Sequence, residues 1–513
     1  MSESRTKLAT KNISVAMLAK IIDQILNFAV RTVFIYTLSI EYLGVNGLFT
    51  NILSFLSLAE LGVGAAIIYL MYKPVAQGNV KQIKAYMNAY KKIYFVLGIV
   101  VFSIGISLTP FLNFFIADTS NIPDHLVIIY ILYIAKTVST YFFAYKQSIF
   151  FVHQKGYIVQ LNNTIFASIR SVLEILFLLF TKNFIVYLIV SVAMNYVTNI
   201  WIALKADKAY PYLKEKNNEK ITAEEKASIK KSVGAMFLHK IGAVVLNSSD
   251  NLILSKFIGI VTVGIYSNYA TILLVVKTTL WSVFDAIVPS VGNLCAESDD
   301  EQKYKVFKGI QFMNLWISSF CTISLGILIN PFITIWIGDQ YLLPQYAVWA
   351  IIISYYIQTN MRAIEMFRSA TGLFYKDRFV PLIQCVINIV VSIIMVQFWG
   401  VAGVFVGTTL SVLLTGFWVQ PFMVFKYIFK KPLYLYFVSY LKFTVVAVIA
   451  FFATYYIVGL LPAEGIIYFV IKMVCCALVP NAIFFAVFFK TEECKFLISK
   501  VRQLFGKKGR KEK

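Results

Sequence analysis

The stretch MLAKIIDQILNFAVRTVFIYT, residues 17–37, sets Lys20, Asp23, Gln24, Asn27 and Arg31 into an otherwise apolar run. At about 100° per residue, all five fall within one arc of a helix. The pattern returns 220 residues later in FLHKIGAVVLNSSDN, residues 237–251, where Leu238, Lys240, Ile241, Leu246 and Asn247 repeat Leu18, Lys20, Ile21, Leu26 and Asn27. At a shift of 217, Gly47-Leu-Phe-Thr-Asn51 falls on Gly264-Ile-Tyr-Ser-Asn268. Lys and Asn are rare inside apolar spans, so their coincidence points to an internal duplication.

The remainder of the chain has the composition of a bilayer protein. Of 513 residues, 59% are apolar and 14% charged, which excludes a soluble globular protein. A span takes about 20 apolar residues. Fourteen are expected, over 12–37, 43–72, 93–117, 126–145, 156–180, 184–204, 232–255, 261–290, 309–337, 346–367, 379–397, 401–425, 434–460 and 466–489. The longest polar segment, Lys205 to Lys231, is too short for a water-soluble catalytic domain. The expected fold is an all-α polytopic membrane protein. Residues 1–204 form an N-lobe of six helices, 205–231 a basic cytoplasmic linker and 232–425 a C-lobe of six more. Two further helices occupy 426–490, and 491–513 is a basic cytoplasmic tail. Six is even, so both repeats enter the membrane from one side, with a cavity expected between them.

The net charge of +22 reports topology rather than nucleic-acid binding. With both termini cytoplasmic, the inside segments hold 36 basic residues and the outside loops only Lys182 and Lys256. That bias fixes the orientation of a multi-pass protein in a cell membrane. The six cysteines fall in spans or cytoplasmic segments, so no extracellular disulfide is expected. His125, His153 and His239 lack ligand spacing, and no metal site is expected. The first apolar run lacks a cleavage site and reads as a retained helix.

Intramembrane polar groups are costly against lipid and mark cavities or helix contacts. The matched stripes nominate Lys20, Asn27 and Arg31 in the first repeat and Lys240 and Asn247 in the second as cavity lining. Lys277 and Arg170 are further candidates for binding cargo. Asp23, Glu60 and Asp285 are candidates for binding a coupling proton or sodium ion; Glu60 and Lys277 occupy equivalent places at the 217 shift. Arg170 with Glu174, and Arg362 with Glu365, have the spacing of ion pairs along one helix. Lys442 is placed to snorkel, and Lys136 and Lys472 receive no assignment. Nine basic and six acidic residues within the spans leave a positive excess, which favours an anionic cargo.

The run from Tyr42 through Gly64, the following Tyr72-Lys-Pro-Val-Ala76, Asp250-Asn-Leu-Ile-Leu-Ser255 and Val263-Gly-Ile-Tyr-Ser-Asn-Tyr269 resemble the polysaccharide-repeat-unit (O-antigen type) flippases. These belong to the multidrug/oligosaccharidyl-lipid/polysaccharide exporter superfamily, and the resemblance runs along the whole chain. It implies two six-helix lobes forming a V, two added helices, and transfer of an undecaprenyl-diphosphate-linked oligosaccharide between leaflets. Membrane lipids, the polysaccharide polymerase and the export machinery are the partners implied, with no nucleic acid. Related lipid II flippases line the cavity with basic residues of the first helix, which Lys20 and Arg31 match. A basic residue is also expected on the second helix, where this chain has Glu60. A multidrug cation antiporter of the same superfamily is the alternative, and a membrane glycan polymerase or glycosyltransferase a third. Helices 13 and 14 and the basic stripe argue against the antiporter; the short outside loops argue against the enzyme.

Overall fold

A computed structural model of the chain describes residues 5–56, 63–116, 125–215, 221–373, 377–462 and 465–506, and no strand occurs among them. Helices dominate because a span in lipid must satisfy its own backbone N–H and C=O groups. In order they are α1 (Arg5–Thr37), α2 (Ile40–Leu56), α3 (Val63–Ala76), α4 (Val80–Ser107), α5 (Leu126–Phe143), α6 (Gly156–Thr181), α7 (Phe184–Ala209), α8 (Ala223–Phe257) and α9 (Ile260–Asp285). There follow α10 (Val288–Glu297), α11 (Asp300–Ile337), α12 (Gln345–Asn360), α13 (Arg362–Ala370), α14 (Val380–Trp399), α15 (Val401–Leu414), α16 (Gly416–Val424), α17 (Tyr434–Gly459), α18 (Ile466–Phe488) and α19 (Glu492–Gly506).

Among the described residues, 10 helical stretches are long and apolar enough to cross a membrane. The first, second, seventh and tenth expected spans are not in that set, which covers the described residues alone. The first and seventh correspond to α1 and α8, which are helical but include residues whose side chains lie outside those described. The second passes from α2 to α3 through residues 57–62, which with Glu60 lie outside the described residues. The tenth, expected to be continuous over 346–367, is broken at Met361 between α12 and α13.

Polar side chains set several helix starts. Asn79 accepts from Gln82 N before α4, Asn183 from Val186 N before α7, and Asp299 from Gln302 N before α11. Thr222 and Glu225 form a reciprocal capping box at the start of α8. This start lies inside the segment expected as a linker, so α8 projects well beyond its apolar part. α11 projects likewise: its 38 residues extend about 57 Å, nearly twice a hydrocarbon core of about 30 Å.

The chain divides into two compact units, Met1–Ser267 and Asn268–Lys513. In the first, α1 packs along α6, α5 against α4 and α7, and α2 against α8. The start of α2 also meets the start of α9 with almost no side chain between them. A Cβ on Gly264 would stand 2.6 Å from the Ile40 carbonyl oxygen, and one on Gly44 would overlap the Ile260 carbonyl. These contacts hold α8 and the first turns of α9 within the first unit.

In the second unit α11 is the central post. It packs against α12, α17, α18 and α19, and Trp316 Nε1 donates to Asn481 Oδ1 of α18 over 2.7 Å. Phe307, Phe367, Phe425 and Phe429 bury their rings around it. α17 and α18, the two helices beyond the sequence repeats, fasten to α11 through the ring contacts of Phe312 with Phe443 and Phe488 and of Trp316 with Phe484, together with the Trp316–Asn481 hydrogen bond.

Candidate functional site

The polar stripe of α1 flanks its packed side. Ala19, Val30 and Phe34 are buried while Leu18, Ile21 and Ile25 are exposed, as lipid contact requires of the outer edge. Near the far end of α1, Arg31 Nη2 donates to Ser267 Oγ over 2.6 Å, and Ser267 in turn donates to the Gly264 carbonyl over 2.7 Å. Arg31 also faces Tyr187 of α7.

Packing of α1 on α6 brings this stripe to a second set of charges. Arg170 Nε lies 3.7 Å from Glu174 Oε1; the Arg170 side chain is 28% exposed and that of Glu174 only 6%. Lys136 of α5 faces both of them, and Asp23 of α1 faces Arg170. Tyr187 faces Arg31, Arg170 and Glu174 together, and Tyr133 faces Tyr187 and Glu174 while donating to Asn46 of α2. Arg170 lies about 21 Å along α6 and Lys136 about 15 Å along α5, counted from each helix start, so these two sit at mid-span depth while Arg31 lies nearer the end of α1. Three cations and two carboxylates leave it a positive excess. Arg and Lys in that number, in a low-dielectric surrounding, suit a multiply charged anion.

The structure therefore joins Asp23, Arg31 and Arg170 in one group. Lys20 lies on the same stripe, half-buried, about 16 Å from Arg31 along α1, and Asn27 is exposed. Lys240 and Asn247 are on α8, with side chains outside those described. Lys136, Glu174, Tyr133 and Tyr187 complete the group. Lys136 carried one readable signal, a mid-span lysine without an acid three or four residues away. The two tyrosines carried none in a chain with 31.

The second unit has its own polar group around the break at Met361. Asn314 Nδ2 of α11 donates to the carbonyls of Asn360 at 2.9 Å and Thr359 at 3.3 Å, satisfying the end of α12 inside the membrane. Just beyond, Arg362 pairs with Asp285 and, at 3.2 Å, with Glu365. Lys277 Nζ donates to Gln358 Oε1 over 3.1 Å. Lys277 Nζ and the Arg362 guanidinium each stand 4.8 Å from the Trp281 ring centre. Glu365 also faces Lys277. Two cations meet two carboxylates, so this group is balanced where the first is not.

The segment expected as a linker is tied to α4 and to the turn that follows α5. Glu225 accepts from Tyr86 Oη at 2.5 Å, Gln82 Nε2 at 2.9 Å and Thr222 N at 2.8 Å. Burial pushes its carboxyl up, but the bonds from Tyr86, Thr222 and Gln82 outweigh it and hold the group below its ordinary range. Lys84 pairs with Glu215, and Lys146 with Asp207 at 2.6 Å. All six cysteines are free thiols. Among the described residues no three His, Cys, Asp or Glu side chains gather as metal ligands.

Ten apolar spans among the described residues, a polar first helix and a mid-span charged group define a multi-pass helical membrane protein with polar chemistry inside its bundle. Within that class, the chain belongs to the polysaccharide biosynthesis protein family, whose profile matches residues 9–294. Its fold is similar to that of the lipid II flippase MurJ in an inward closed conformation, with a TM-score of 0.66 at 16% identity, covering 92% of this chain and 98% of that one. It is also similar to a mutant of the Vibrio cholerae MATE transporter VcmN, with a TM-score of 0.56 at 12% identity over 84% and 99% of the two chains. An inward-facing multidrug resistance MATE family transporter of the MOP superfamily gives 0.57 at 13% identity, over 81% and 98%. At these identities the likeness is one of fold. No curated protein matches the sequence.

Proposed function

We propose that the protein is a flippase that moves an undecaprenyl-diphosphate-linked oligosaccharide repeat unit from the cytoplasmic to the outer leaflet of a bacterial cell membrane. The observation that carries this reading is the positive group of Arg170 and Lys136 at mid-span, with Arg31 nearer the end of α1. Guanidinium groups pair with phosphate oxygens through two parallel hydrogen bonds, and a diphosphate needs fixed positive charge once it leaves the headgroup layer. Membership of the polysaccharide biosynthesis family and a fold like that of a lipid II flippase support the same cargo class.

The cargo crosses chemically unchanged, by alternating access between two states that the diphosphate biases through its differential affinity. A proton or sodium ion at Asp23, Glu60 or Asp285 is the coupling ion of this scheme, with no other cofactor. The product feeds a polysaccharide polymerase and export machinery that build a capsule, O-antigen or exopolysaccharide. Both termini lie on the cytoplasmic side, as the distribution of lysine and arginine argues.

The test is reconstitution in proteoliposomes with a fluorescent undecaprenyl-diphosphate oligosaccharide, scored by exposure of the sugar to an impermeant lectin. Protein-dependent exposure of intact substrate is expected. A substrate altered in mass would indicate an enzyme, and transport of organic cations without lipid movement would indicate an antiporter.

A further inference from the structure

Glu174 has no part in the binding chemistry above, yet the residue is 4% exposed, buried among cations assigned to an anion. Its contact with Arg170, 3.7 Å from Nε, is within ion-pair reach but longer than a hydrogen bond, and Arg170 Nε is buried without a hydrogen-bond partner. Lys136 faces the same carboxylate from α5, and Tyr133 and Tyr187 face it from α5 and α7. Such an arrangement sets one carboxylate between two cations and leaves the Arg170 Nε donor unsaturated. An arriving phosphate competes with Glu174 for charge while finding the Arg170 donor fork available.

We infer that Glu174 is an internal counter-anion, holding Arg170 and Lys136 when the site is empty and yielding them to the diphosphate of the cargo. The inference rests on the flippase reading and assigns the fifth span the task of limiting how tightly that diphosphate is held. Glu174 is a positioning residue, acting through Arg170 and Lys136. An unneutralised buried charge destabilises the empty state, and a ligand that supplies the missing charge stabilises the protein more. Removing the carboxylate therefore tightens binding and slows release.

The experiment measures undecaprenyl diphosphate binding and lectin-scored flipping on the full chain in zwitterionic nanodiscs and proteoliposomes. Glu174→Gln lowers the Kd for undecaprenyl diphosphate by about tenfold, lowers the flipping rate, and enlarges the rise in Tm caused by the lipid. Adding Lys136→Met removes the excess charge and returns the Kd toward wild type. Glu174→Asp, which withdraws the charge by one methylene, gives the same shift at smaller size and covers a glutamine variant that does not accumulate. Wild-type binding with an unchanged or weakened Kd in both Glu174 variants overturns the inference alone. Wild type that fails to bind undecaprenyl diphosphate overturns the flippase reading, and this inference with it.

Discussion

Arg31 of α1 donates to Ser267 of α9 across 236 positions of sequence, at 2.6 Å. The bond joins the polar stripe of the first repeat to the second helix of the second repeat, inside one compact unit. If Arg31 serves cargo, Arg31→Ala accumulates as wild type does and loses at least about tenfold in flipping, the size expected when a charge-assisted pair is removed. Arg31→Lys recovers part of that, because it keeps charge without the paired donors. Ser267→Ala leaves flipping within about twofold, since the guanidinium remains. Equal rates for the alanine and wild-type proteins would take Arg31 out of the site.

The approach of Gly44 to Ile260 and of Gly264 to Ile40 leaves no room for a side chain. Gly264→Val forces backbone apart and costs about 1–3 kcal/mol, lowering Tm in detergent by several degrees. Gly459→Ala is the control, because a Cβ there meets nothing within 4 Å. A Gly264→Val protein as stable as the control would show that the crossing is loose.

Asn314 carries the broken helix. Asn314→Leu strands the Thr359 and Asn360 carbonyls in an apolar surrounding, a loss of about 1–3 kcal/mol. Thermal unfolding is expected to move down accordingly, whereas Asn314→Asp keeps the side-chain shape but removes both donors and falls at least as far. A rise in Tm for Asn314→Leu would show that water satisfies those carbonyls.

Much of the fold was legible because bilayer physics is written in composition. Among the described residues, the ten long apolar helices lie where runs of apolar residues place them. The break at Met361 was not legible, since its cause is Asn314, 46 residues away from Asn360 on another helix. In the candidate site, Arg31 and Arg170 stood out as cations within apolar runs. The meeting of Lys136, Glu174 and Arg170 depends on α5 and α6 both packing against α7, which no local period encodes. Asp285 offered itself as a lone acid two turns from Lys277, and its ion pair with Arg362 became visible only in three dimensions.

Glu225 gives a pH signature away from the membrane. Its carboxyl is held below the ordinary 4.5, so its contribution to stability is complete above that value and is lost as pH falls through the lowered one. Wild type is expected to exceed Glu225→Gln in Tm at pH 7 by about 2 °C, and the gap narrows in acid below the ordinary carboxylate range. A gap that stays constant down to pH 3 would remove the charged hydrogen bonds from Tyr86 and Gln82 as its cause.

The central claim is that fixed positive charge at mid-span holds a diphosphate. Equilibrium binding of undecaprenyl diphosphate, with undecaprenyl monophosphate as reference, to wild type and to the combined Arg31→Ala and Arg170→Ala variant tests it most directly. Wild type is expected to prefer the diphosphate, and the variant to lose at least about tenfold in affinity for it with little change for the monophosphate. Equal diphosphate affinity in the two proteins would contradict the account.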